Sequence, residues 1–262
     1  MDMNKTLSPQ ESLMTEFYES IWLRFLKAIE DYKLIKNGDN VAVCISGGKD
    51  SMLLAVLFDK LKKTGLYDIG VKYLVMDPGY SKQNREKIEY NANKLSIPAE
   101  IFESEIFESV FTIEKSPCYL CARMRRGYLY KNAQDRGCNR IALGHHFDDV
   151  IETILLSCLM SGQTRTMMPK LQSENFAGMQ LIRPLYLVNE RDIKLWRDKN
   201  GLEFLACACK FTENAAHDES TSKRLEIKRL IERLEKDIPN VRENIFASSE
   251  NIDIEKLLSI KE

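Results

Sequence analysis

The run Ser46-Gly47-Gly48-Lys49-Asp50-Ser51 gathers glycines, hydroxyls, an ammonium and a carboxylate into a single turn. That mixture suits a polyphosphate. Adjacent glycines let the backbone approach an anion closely, while Ser46, Ser51 and Lys49 add hydroxyl donors and positive charge. The spacing is not that of a Walker loop, which sets four residues between its glycines, nor of the dinucleotide fingerprint G-x-G-x-x-G. The bland alternative is an ordinary Gly-rich turn in which Asp50 caps the following helix.

A second constellation is Gly144-His145-His146-Phe147-Asp148-Asp149-Val150-Ile151-Glu152-Thr153. Asp149 and Glu152 have the spacing of a helix-capping box, which accounts for those two without any ligand. It leaves Asp148, His145 and His146 unexplained. Mg2+ takes one or two carboxylates together with phosphate oxygens, so Asp148 or Asp149 is the candidate ligand for a metal accompanying a nucleotide.

The third is built on sulfur. Seven cysteines without a secretion signal argue against a disulfide framework and for metal or sulfur chemistry. Cys118 and Cys121 are spaced i, i+3, on one side of a helical first turn whose dipole favours thiolate. With Cys207, and Cys209 close by, they offer three thiolates. Such a set suits an iron–sulfur cluster with one unligated iron, or zinc if His217 or Cys209 completes a tetrahedron. Cys44, Cys138 and Cys158 have apolar or helical surroundings and are expected to pack as small hydrophobes.

Arg123, Arg125, Arg126, Lys131 and Arg136, interleaved with Tyr128 and Tyr130, form a basic aromatic face able to meet phosphate and stack on an extruded base. A charged helix face is usually just solvated, and only proximity to the cysteine pair favours RNA for Arg123, Arg125 and Arg126. Lys223, Arg224, Lys228, Arg229 and Arg233 make a second, acid-diluted basic face near the C-terminus.

These groups need elements to position them. Apolar residues recurring three or four apart from Leu13 to Ile29 mark an amphipathic helix ending before Asn37-Gly38-Asp39. Val41 to Ile45 is a short apolar strand, and Met52 to Leu61 a helix, so the Ser46–Ser51 loop joins strand to helix. A strand at Val71 to Met76 stops at Asp77-Pro78-Gly79; a helix from about Lys82 to Leu95 leads to a strand around Ala99 to Phe102. Then come a helix from Cys118 to about Arg136, a strand at Arg140 to Leu143 and a helix from Asp149 to Met160. Thr164 to Ala177 has no period and reads as an exposed loop. A strand end at Ile182-Arg183-Pro184-Leu185, a helix from Glu190 to Lys199 and an apolar-faced helix from Ser222 to Lys236 complete the chain. Alternating strands and helices predict an α/β fold, a doubly wound parallel sheet with an N-terminal helix and a C-terminal helical extension. The expected parts are residues 1–38, 39–210 and 211–262. In such sheets ligands gather beyond the carboxyl ends of the strands, where both the Ser46 loop and the Gly144 segment fall.

The loop after its strand resembles the PP-loop signature of the adenine nucleotide α-hydrolase superfamily, a Rossmann-like HUP fold whose members cleave ATP between the α- and β-phosphates. Gly144 to Thr153 resembles the GHHxDDxxET element of tRNA-thiolating PP-loop enzymes. The string Cys118-x-x-Cys121-x-Arg123-x-Arg125-Arg126-Gly127 is similar to the central motif of the tRNA 2-thiocytidine synthetase family, TtcA. The resemblance spans almost the whole chain. It implies a [4Fe-4S] cluster on Cys118, Cys121 and a third cysteine beyond Arg183-Pro184-Leu185, which by position is Cys207. The family pattern has a proline before the third ligand and another cysteine three residues on; here Ala206 precedes Cys207 and Cys209 follows at two, so Cys209 stays open as a substitute. The paired terminal zinc cysteines of related 2-thiouridine enzymes are absent, which favours the cytidine branch.

The resemblance implies binding of ATP-Mg2+ at Ser46, Gly47, Gly48, Lys49, Asp50 and Ser51, with adenine near Asp77 and with Gly144 and His145 also at the nucleotide. Lys49, Asp50, Asp148 and Asp149 are the expected catalytic groups, and tRNA cytidine, at position 32 of the anticodon loop, the expected substrate. A sulfur donor such as a cysteine desulfurase or sulfide, and a homodimer, are further expectations. A tRNA uridine, a small molecule, or a non-catalytic ATP- and cluster-binding sensor are the alternatives.

Bulk properties set the outer bounds. At 262 residues and 44% hydrophobic, the chain can bury a sizeable core. A formal net charge of −1 excludes a globally basic nucleic-acid binder, so any RNA contact is a local patch. Met1 to Gln10 lacks a signal-type apolar run and nothing approaches the roughly 20 apolar residues of a membrane span, so a cytoplasmic protein is expected.

Overall fold

The computed structural model describes residues 7–104, 117–205 and 219–256, and for 117–125 and 219–222 the helical backbone alone. At its centre is β1 (Asn40–Ile45), whose residues are buried after the first. An unbroken apolar run of this kind suits a strand covered on both faces. It pairs in parallel with β2 (Gly70–Asp77) on one side and β4 (Arg140–Ala142) on the other. Beyond them lie β3 (Ala99–Glu103) next to β2, and β6 (Gln180–Ile182) next to β4, both also parallel. With β5 (Lys170–Gln172) outside β6, the strand order is β3-β2-β1-β4-β6-β5. Successive strands move outward in one direction from β1 and in the other from β4, which makes the gap between those two the topological switch point.

The edge strand β5 (Lys170–Gln172) runs antiparallel to β6. It lies in the segment expected to be a loop. Three residues, two of them exposed, are too few to show a period, and their pairing comes from β6 rather than from their own pattern.

The described chain divides into two compact units, one within Met1–His146 and Pro169–Asn214, the other within Phe147–Met168 and Ala215–Glu262. The first carries the sheet with α1 (Pro9–Leu13), α2 (Leu23–Asp31), α3 (Lys49–Thr64), α4 (Lys82–Lys94), α5 (Pro117–Asp135) and, between β6 and residue 205, the helix Glu190–Lys199. The N-terminal helix expected to be continuous is interrupted: Tyr18–Trp22 form a π-helical stretch between α1 and α2. The apolar spacing survives the break because Phe17, Ile21, Trp22 and Phe25 are all buried, and Phe25 meets Phe58 of α3 edge-on at 5.6 Å. α3 is apolar nearly all round and lies in the interior; Gly65 at φ +70° ends it just after Lys62 and Lys63, whose charges suit a helix C-terminus.

The second unit is helical. α6 (Phe147–Ser161), then α8 (Glu219–Asp237) and α9 (Val241–Ala247) bury Val150, Ile151, Ile154, Ile227, Ile231 and Val241, with Phe147 stacked on Phe246 at 5.1 Å. The helix Glu190–Lys199 precedes these last two and is α7. The sequence-based division had placed residues 147–168 in the central domain, whereas α6 groups with the C-terminal helices. α9 had not been expected, because a seven-residue helix barely completes two periods.

Candidate functional site

β1 ends at Ile45 and α3 begins at Lys49, leaving Ser46, Gly47 and Gly48 to turn the chain. Gly47 sits at φ +84°, and a Cβ there would meet Ile88 Cγ1 at 2.7 Å and Leu205 Cδ1 at 3.0 Å. Only glycine satisfies both the left-handed backbone and the lack of space. The loop is tied down on one side, since Leu205 N donates to Gly47 O at 3.1 Å. Within the turn, Ser46 N donates to Ser51 Oγ at 3.1 Å and Ser51 Oγ donates to Gly48 O at 2.9 Å. Gly48 is the N-cap and no side chain caps it. Asp50 therefore stands inside the first turn, and the bland reading of it as the helix cap does not hold.

Lys49 has 18% of its side chain exposed, and its Nζ lies 3.1 Å from Asp50 Oδ2 and 3.1 Å from Glu190 Oε1. Burial lowers its pKa, but the carboxylates of Asp50 and Glu190 more than offset this and hold it above the ordinary lysine value. The lysine is thus a fixed positive charge at a helix N-terminus. Both features favour an anion.

The loop after β4 closes on the same place. A Cβ on Gly144 would lie 3.0 Å from Asp50 C and 3.0 Å from Ser51 N, so the two loops touch backbone to backbone. His146 is buried, with Nε2 3.8 Å from Asp50 Oδ1. His145 precedes it in the loop. The sequence-predicted pair of loops is therefore brought together at the switch point, through Gly144 and His146.

Asp77, at the end of β2, is buried and shapes its own turn: Oδ1 accepts from Gly79 N at 2.8 Å and Tyr80 N at 2.7 Å, and Oδ2 faces Arg85 at 3.3 Å. Its carboxylate organises the loop that follows β2.

In the helical unit, Asp148 and Asp149 occupy the first turn of α6, which begins at Phe147, so Asp149 and Glu152 do not form the capping box their spacing suggested. Arg242 Nη2 meets Asp148 Oδ1 at 2.5 Å; Arg224 Nη1 meets Asp149 Oδ1 at 3.0 Å, with its Nε 3.6 Å from Glu152 Oε2. A metal on either aspartate has to share or displace an arginine. Part of the second basic face is thereby used within its own unit.

The helix carrying Cys118, Cys121, Arg123 and Arg125 is α5, whose side chains through residue 125 lie outside the described residues, as do Cys207, Cys209 and His217. The i, i+3 spacing of Cys118 and Cys121 does fall on continuous helix. Among the described residues no group of three or more His, Cys, Asp or Glu is arranged for a metal. Arg126 and Tyr128 are exposed. Tyr130 is not available for stacking on a base, because it is buried and stacks on Phe176 at 5.1 Å. Arg136 pairs with Glu100 at 2.5 Å. Cys44 and Cys138 are buried as expected, and burial first, then Cys138 nearby, raises Cys44 to about 12. Cys158 is exposed on α6 and does not pack as a hydrophobe.

Sequence reasoning missed Glu190, Ile88 and Leu205. Nothing in the linear chain ties them to the loop; only the fold does.

The family model of the PP-loop domain matches residues 17–212. A tRNA-cytidine(32) 2-sulfurtransferase of Coxiella burnetii is 35% identical over 88% of this chain and 89% of its own length. Another protein of that name, from Pelobacter propionicus, is 32% identical over 97% of this chain and 93% of its own. Among solved structures, the U34-tRNA thiolase NcsA from Methanococcus maripaludis with its [4Fe-4S] cluster superposes with a TM-score of 0.69 at 21% identity, covering 92% of this chain and 78% of that one. At that identity the likeness concerns the fold. No described helix is long and apolar enough to cross a membrane. This chain belongs to the PP-loop ATP-pyrophosphatases and, among them, to the tRNA-cytidine(32) 2-sulfurtransferase family.

Proposed function

We propose that the protein is an ATP-dependent tRNA sulfurtransferase that converts cytidine 32 of the anticodon loop to 2-thiocytidine. The observation that carries this reading is the junction of the two loops. A turn that requires glycine at position 47 places Lys49 at an uncapped helix N-terminus, whose next two residues, Asp50 and Ser51, meet Gly144 of the histidine-bearing loop backbone to backbone, in a chain 35% identical to a protein of this name. ATP binds with its phosphates at Ser46 to Ser51. The cytosine C2 oxygen attacks the α-phosphorus, the bond to the β-phosphate oxygen breaks, and pyrophosphate leaves an adenylated base. A sulfur nucleophile then adds at C2 and AMP departs with that oxygen, so no net oxidation or reduction is required.

Lys49 and the turn's donors stabilise the charge that develops on the phosphates, which is the dominant form of catalysis in phosphoryl-type chemistry. Asp50, with His146 behind it, fixes the lysine's direction. Asp148 or Asp149 would supply the protein ligand to Mg2+, in exchange for part of its pairing with Arg242 or Arg224. Cys118, Cys121 and Cys207, with Cys209 as the substitute, would hold a [4Fe-4S] cluster, which when bound would supply a carrier for sulfide. Arg123, Arg125 and Arg126 meet the RNA, and the sulfur comes as free sulfide or from a cysteine desulfurase, whose persulfide sulfur first takes two electrons from a thiol reductant to reach the sulfide level. The protein works as a cytoplasmic homodimer.

Nucleosides from digested tRNA of a strain lacking the gene decide the matter. Loss of 2-thiocytidine with 2-thiouridine retained is the expected result. The opposite pattern moves the substrate to uridine, and release of neither AMP nor pyrophosphate by cluster-loaded protein supplied with ATP, sulfide and tRNA leaves a sensor.

A further inference from the structure

Glu190 belongs to none of the motifs that brought attention to the loop, yet it shares Lys49 with Asp50. It is the first residue of α7, its side chain is 13% exposed, and its Oε1 sits 3.1 Å from Lys49 Nζ. The other oxygen, Oε2, is 2.9 Å from Lys194 one turn along the same helix. The ammonium that a triphosphate needs is thus held between two carboxylates, one contributed by the loop and one by a distant helix.

We propose that Glu190 is a positioning residue that competes with polyphosphate for Lys49, keeping the ammonium aimed while limiting how tightly the loop retains pyrophosphate after cleavage. This rests on the nucleotide-binding reading of the loop. A lysine with two counter-ions gives up part of that pairing when phosphate arrives. Asp50 is the next residue along α3 from Lys49, so the chain itself keeps that pair together. Glu190 is anchored on another helix, so it is the partner whose hold sets the exchange. A site that must bind a triphosphate and then release a diphosphate benefits from a built-in competitor of this kind.

The experiment is pyrophosphate binding by calorimetry to the full chain, alongside ATP-Mg2+. Glu190→Gln should bind pyrophosphate on the order of tenfold more tightly, because Lys49 no longer gives up its 3.1 Å pairing with Glu190 when the anion arrives, and about one pKa unit of such pairing is a factor of ten. Glu190→Ala should tighten it likewise, and Glu190→Asp, which keeps the charge, should stay near wild type. The second readout is the titration of the Lys49 amine by NMR: its midpoint should fall in Glu190→Gln, because one of the two carboxylates that raise it is gone. A purely structural role predicts weaker binding in the variants and no such titration change.

Unchanged or weaker pyrophosphate binding in the folded Gln and Ala variants overturns the proposal. Tighter binding with the Lys49 midpoint unmoved also overturns it, since Glu190 would then act on the anion directly. If wild-type protein binds neither ATP-Mg2+ nor pyrophosphate, the nucleotide reading itself falls; if it binds both and only the variants misbehave, this proposal falls alone.

Discussion

The two units each contain a partly buried ionic cluster, and the clusters are resolved differently. At the phosphate loop one lysine faces two carboxylates, Asp50 and Glu190, at a helix N-terminus no side chain caps. In the helical unit three carboxylates, Asp148, Asp149 and Glu152, are answered by Arg242 and Arg224. The first arrangement leaves a cation poised where an anion is electrostatically welcome. The second neutralises its charges inside the protein, with Asp148 and Glu152 buried. Removing one partner of a matched buried pair strands a charge inside the protein, whereas a cation beside an uncapped helix N-terminus favours an anion.

That contrast breaks most clearly at Lys49. Lys49→Ala should slow ATP cleavage by about 100-fold or more, the scale of removing one donor from developing charge, while the melting transition moves little. A large loss of stability with intact turnover would reverse the roles of the two clusters.

Arg242→Ala should do the converse. It leaves the buried Asp148 carboxylate without this partner, and with both side chains 11–16% exposed the cost should be about 2–3 kcal/mol in urea denaturation. Asp148→Asn sharpens the point: if Asp148 also carries Mg2+, the variant should need more Mg2+ for turnover, beyond any change in melting.

Gly144→Ala tests the junction of the loops. Backbone atoms 3.0 Å away cannot give as a side-chain tip would, so about 1–3 kcal/mol of overpacking is expected, with weaker ATP binding.

The smallest effect is on pH. A lysine raised above its ordinary value keeps its proton throughout neutral and mildly alkaline solution, so pyrophosphate affinity should show no lysine titration there. Its ion pairing contributes stability that is fully present below the unfolded lysine pKa and is lost only as pH rises through the higher folded value. A drop in affinity near neutrality would mean that Asp50 and Glu190 do not hold the ammonium as the geometry states.

Much of this was legible in advance where the chemistry is local. The glycines and lysine of Ser46 to Ser51 announce an anion because backbone access and charge are properties of adjacent residues, and the strand before it shows itself as an apolar run. The helix Glu190–Lys199 was placed to the residue by its own period. β5 was not, because an edge strand of three residues borrows its order from a neighbour. The capping box failed because α6 starts at Phe147, two residues before Asp149, so both aspartates stand inside the first turn rather than at its cap.

The sequence by itself determined the alternation of strands and helices, the phosphate turn and the existence of an acidic segment after the fourth strand, because periodicity and short motifs are written in neighbouring residues. Only the tertiary structure decided which charges those motifs meet. Glu190 reaches Lys49, Ile88 and Leu205 seal Gly47, and Arg242 claims Asp148, since partners far apart in the chain are chosen by packing and electrostatics once the backbone has folded.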